Sequence, residues 1–131
     1  MKLREIYERA LALINERNSE GAYHADIGDF EKNAPAVAST LIALYTTSDA
    51  VLKNEKIRDI GEIKAVESLD DELPFHPHLS AAVLPFALAS MMILEEDSLR
   101  SEYFLSLARL AESKLLSAYA RGESTSVKNV Y

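Results

Sequence analysis

Residues 79–94 read LSAAVLPFALASMMIL, apolar on every side of a helical wheel except at Ser80 and Ser90. A helix that is hydrophobic all round belongs in an interior, covered by other elements. At a rise of ~1.5 Å per residue the stretch is about 24 Å long, short of the ~20 apolar residues a bilayer crossing needs. Glu95, Glu96 and Asp97 follow at once, and charge of that density suits water better than lipid. The stretch therefore reads as a core helix and not as a membrane span. Its nine large apolar side chains would each gain ~1.5–3 kcal/mol on full burial, before ordering entropy is subtracted. Leu84, Phe86, Leu88 and Ile93 are predicted to be almost wholly buried. Pro85 lies inside the run and removes the amide that would bond Ala81, so a kink is expected there.

Pro77, preceded by Phe75 and His76, is preset for the first turn of this helix. Downstream, Asp97 or Ser98 is the expected cap of a last helix running to about Arg121. Its apolar positions are Leu99, Tyr103, Phe104, Leu107, Leu110, Ala111, Leu115, Ala118 and Tyr119. Gly122 reads as its end, leaving residues 123–131 (ESTSVKNVY) as a short extended C-terminal tail. Upstream, Leu3, Ile6, Tyr7, Ala10, Leu11, Leu13 and Ile14 have the three-and-four spacing of an amphipathic helix that stops at Asn18–Gly21. A second helix is expected from Asp29, acting as N-cap, with the stripe Phe30, Ala34, Val37, Ala38, Leu41, Ile42, Leu44 and Tyr45. Between it and the central helix, residues 53–72 are polar. Ile57, Ile60, Ile63, Val66 and Leu69 recur there as anchors for short helical turns. The predicted fold is all-α: a small bundle of about four main helices around a buried, proline-kinked central helix. It forms one domain over residues 1–122, followed by the tail 123–131.

The chain has no cysteine, which excludes disulfides and thiolate metal sites. Its opening MKLREIYERA is charged throughout and offers no apolar signal region. A formal net charge of −7 disfavours a protein that grips phosphates, but not one that surrounds DNA without holding it. The densest basic group, Lys53, Lys56 and Arg58, is diluted by Glu55, Asp59 and Glu62.

Catalytic signatures were sought residue by residue. His76 and His78 form an HPH corner and His24 is remote. Two imidazoles without further ligands at a recognisable spacing fall short of a structural zinc site, so helix-start and surface roles are expected for them. Asp70-Asp71-Glu72 and Glu95-Glu96-Asp97 gather acids as acid–base chemistry would, yet both lie beside helix starts, where carboxylates interact favourably with the dipole. No G-x-S-x-G, Walker A, G-x-G-x-x-G or Glu-x-x-His sequence occurs. No enzyme activity, cofactor or metal is expected. In the tail, Val127, Val130 and Tyr131 are apolar on a segment too short for a core. They read either as a frayed end or as an arm that orders against a partner.

Residues 69–104 (LDDELPFHPHLSAAVLPFALASMMILEEDSLRSEYF) resemble a segment of the head–tail connector, or head-completion adaptor, proteins of tailed phages and prophages. The resemblance lies in an acidic LDDEL turn, an LP-aromatic-x-LA core helix, an acidic break, a final helix and a closing Val130-Tyr131 pair. The opening helix and the Asp29-Phe30 start of the second are also similar. The segment Lys53–Val66 is the longest outside the match. Such a family implies a small helical subunit that forms a ring beneath the portal, through which DNA passes during packaging and ejection. Its partners would be copies of itself, the portal protein and a downstream head-closure or tail protein. Its place would be the virion neck, after synthesis in the bacterial host cytoplasm. The residues themselves leave two other classes open. One is a helical interaction or regulatory module without catalysis; the other is a small-ligand bundle or enzyme with a pocket beside the Pro85 kink.

Overall fold

A computed structural model describes residues 1–15, 27–56, 63 and 65–128. They form helices α1 (Leu3–Asn15), α2 (Ile27–Lys53), α3 (Pro77–Ala82), α4 (Leu84–Met92) and α5 (Ser98–Lys128). The fold is all-α; among the described residues the one extended pairing is an isolated antiparallel bridge between Lys2 and Glu72. No helix among them is long and apolar enough to cross a membrane.

The apolar run lies at the centre. Helix α4 packs against each of α1, α2, α3 and α5, and Val83, Leu84, Leu88, Ala89 and Ile93 are almost completely buried. The expected interruption at Pro85 is present: α3 ends at Ala82 and Pro85 sits in the first turn of α4, where a missing amide is tolerated, while Val83 between them still donates to the Leu79 carbonyl and accepts the Ala87 amide. Phe86 departs from expectation: it is only partly buried. A helix apolar on all sides thus still places one large side chain at the rim of the core.

Within the run, Ser90 meets Ser101 of α5 in a reciprocal clamp. Each hydroxyl donates to the other's backbone carbonyl at 2.7 Å, and the two oxygens lie 3.1 Å apart. Both residues are buried. Their small side chains let α4 and α5 approach closely, and the hydroxyls are satisfied at the contact. Ser90→Leu should cost about 3 kcal/mol, because added volume in a packed seam forces strain and the Ser101 carbonyl loses the Ser90 hydroxyl as a donor. Chemical denaturation measures the loss.

Other boundaries have local causes. Asp97 Oδ1 accepts the Arg100 amide at 3.1 Å, capping α5 as expected. Helix α2 starts at Ile27, ahead of the expected Asp29, and passes through Pro35 without stopping. It ends at Asn54, whose positive φ of 55° is the left-handed exit that asparagine tolerates, and the Glu55 amide bonds back to the Ala50 carbonyl at 2.9 Å. Gly122 does not end α5, which continues to Lys128. A lone glycine costs a helix ~1 kcal/mol relative to alanine, and no proline follows it. The extended tail expected from residue 123 is therefore helical through residue 128. Residues 129–131, the expected stop at Asn18–Gly21, and Ile57 and Ile60 lie outside the described residues.

The acidic turn at 70–72 serves a helix other than the one it precedes. The Leu3 and Arg4 amides at the start of α1 bond the carbonyls of Asp71 and Leu69 at 3.0 and 2.8 Å. Asp70 pairs with Arg4, and Glu72 with the Met1 ammonium. Asp71 folds the turn itself by accepting the Glu67 and Ser68 amides. Val66 and Leu69 are buried anchors and Ile63 a partial one, but residues 65–75 hold no helix.

Candidate functional site

Asp49 is the only charged residue between Lys32 and Lys53, and it points inward. Its carboxylate accepts the His76 backbone amide at 2.6 Å and pairs with Lys53 Nζ at 3.1 Å. Lys53 Nζ also donates to the Pro74 carbonyl. Helix α2 thus positions the backbone at the start of α3. There the His76 side chain caps α3, its Nδ1 accepting the His78 amide at 3.1 Å. On the other side, Tyr119 of α5 places its hydroxyl 2.8 Å from His76 Nε2 and 3.1 Å from His78 Nδ1. The three rings stand edge to face, with centroids 5.1–6.0 Å apart.

The cap bond assigns the His76 tautomer. Nδ1 of His76 accepts the His78 amide, so Nε2 carries the proton and donates to the Tyr119 oxygen, which also lies within hydrogen-bond reach of His78 Nδ1. Partial burial pushes the His76 pKa below the ordinary imidazole value; the neighbouring His78 and Lys53 push the same way, against the pull of Asp49. The pattern opposes metal binding at His76, because Nε2 could ligate only if the proton moved to Nδ1 and faced the His78 amide. Among the described residues, no three His, Cys, Asp or Glu side chains gather as a metal site.

A different kind of surface lies on the outer faces of the helices. Leu44 is 66% and Val51 55% exposed, and Ala36, Thr40, Ala43 and Thr47 share their side of α2. From residue 36 to residue 51 this uncharged face runs about 22 Å. On α5, Leu99, Tyr103 and Leu110 are exposed at the four-three-four spacing of one face, with Ser106 between them. Sequence reasoning placed Leu44, Leu99, Tyr103, Leu110 and Ala118 on inward stripes; all five face solvent. An open groove of about 360 Å³ lies between α2 and the end of α4, lined by Phe30, Val37, Met91, Met92 and Leu94. It is at the opposite end of α4 from Pro85.

Of the residues expected to touch a partner, Val127 falls in the last turn of α5, and Val130 and Tyr131 lie outside the described residues. Asp49 and Tyr119 were not anticipated as a pair flanking His76. A lone acid in a long uncharged helix was the available signal, because such a charge is usually paired inside. The chain matches no protein-family model, no curated protein and no solved structure.

Proposed function

We propose that this chain is a non-catalytic assembly subunit of the head–tail connector type, one that forms a ring with its own copies beneath a portal and lets DNA pass. The observation that carries the reading is the uncharged outer face of α2, with Leu44 and Val51 well exposed on it. A protein of net charge −7 repels its own copies, and an uncharged face is where two of them approach without confronting carboxylates. A ring needs two different complementary patches on each subunit. The Leu99–Leu110 face of α5 is a second one. An acidic wall also suits a conduit, since it repels phosphates and lets DNA slide. The portal and a downstream head-closure or tail protein are the expected heterologous partners, in the neck of the virion.

The closing residues take part in this reading. Val127, Val130 and Tyr131 would serve as anchors, Tyr131 foremost because aromatic side chains dominate interface energetics. Deleting residues 123–131 should leave helicity per residue and melting temperature nearly unchanged while weakening portal binding at least tenfold. Circular dichroism and co-sedimentation with a portal protein measure the two effects. Unchanged binding by the shortened chain would remove the tail's role. No binding by the intact chain would remove the connector reading.

A further inference from the structure

We propose that residues 128–131 of one copy dock in the open groove between α2 and the end of α4 of a neighbouring copy. The neighbour is the one the assembly reading supplies, and the docking rests on that reading.

The groove has an apolar floor and an acidic edge. Phe30, Val37, Met91, Met92 and Leu94 line the floor, with Glu95 and Glu96 beside them. Leu94 is 58% exposed, Met91 and Met92 are partly buried, and Glu95 is exposed. Methionine side chains adapt to what they cover, and their thioethers make favourable contacts with aromatic edges. A volume of about 360 Å³ is at the small end of ligand-sized sites. It suits one or two side chains and not a whole helix.

Charge and chemistry select the occupant. From residue 124 to residue 131, Lys128 is the only charged residue, in a chain of net charge −7. Val130 and Tyr131 follow it closely. A cation just ahead of an aliphatic and an aromatic side chain complements an apolar floor with carboxylates at its edge.

Reach decides which copy is engaged. Glu95 and Glu96 lie within three residues of Ser98, where α5 begins, whereas Lys128 is where α5 ends. A helix of 31 residues is about 46 Å long. Residues 129–131 extend at most ~11 Å further, so they fall short of their own groove by roughly 30 Å. The docking is therefore between chains. Each copy gives one segment and receives another, a head-to-tail contact of the kind that closes into a ring.

The chain contains no cysteine, so introduced thiols report this contact without background. Full-length Leu94→Cys and Tyr131→Cys proteins, mixed and mildly oxidised, should become linked to each other. The rate should be at least tenfold that of Tyr131→Cys mixed with Glu8→Cys, an exposed position on α1. Adding Glu95→Lys to the Leu94→Cys protein should slow the linkage about threefold, the scale of an exposed ion pair. Adding Lys128→Glu to the Tyr131→Cys protein should then restore it. Sedimentation velocity of the unsubstituted chain is measured alongside. Association of that chain without preferential linkage between positions 94 and 131 would overturn the docking and leave the assembly reading standing. A chain that never associates would overturn both. A chain carrying both cysteines should link into oligomers, and one that instead closes on itself as a monomer would overturn the exchange.

Discussion

Leu88→Ala should lower the unfolding free energy by about 3–4 kcal/mol, within the range that large-to-small core substitutions produce. Leu88 is fully buried on the helix that touches all four others. A cavity left in so close-packed a core is only partly closed by relaxation of its surroundings. Domains of this kind are stable by only ~5–15 kcal/mol, so one side chain carries a large fraction of the total. Phe86→Ala should cost less than Leu88→Ala despite its larger volume, because Phe86 keeps part of its surface in water. Urea unfolding of the two variants gives both values. A loss under about 1 kcal/mol for Leu88→Ala would mean that α4 is not the centre of the core.

The second large effect concerns association. Leu44→Glu combined with Val51→Glu should leave the fold intact, since both side chains already face solvent. It should weaken self-association at least a hundredfold. Each carboxylate would have to be desolvated in an apolar contact, and the copies already repel through their net charge of −7. Leu44→Ser with Val51→Ser should give a smaller loss, because hydroxyls desolvate more cheaply than carboxylates. Sedimentation velocity across a concentration series separates the three proteins. Equal association by the glutamate variant would show that α2 contributes no contact.

What the sequence made legible was local. The buried run, the proline break before α4, the Asp97 cap and the inward side of α1 each follow from residues within a few turns of one another. Contacts between distant residues were not legible. Ser90 and Ser101 interrupt apolar stripes as apparent imperfections, and only the packed helices show that they satisfy each other. The acidic turn at 70–72 reads as a cap for the next helix, yet its carboxylates and carbonyls serve α1, 66 residues away in the Arg4–Asp70 pair. His76 was legible as a helix start, but its bond to Tyr119 spans 43 residues. Leu44, Leu99 and Leu110 show a further limit. Hydropathy marks a residue as apolar without saying whether anything in the chain covers it, so an exposed apolar face looks like a core face.

The account stands on self-assembly through two unlike faces, and the mass of the assembled species tests this most directly. Native mass spectrometry of the intact chain, with electron-microscope class averages of the same sample, should find a closed ring of one discrete stoichiometry, lost in the Leu44→Glu, Val51→Glu variant. A chain that stays monomeric at every concentration, both alone and with a portal protein, would contradict it.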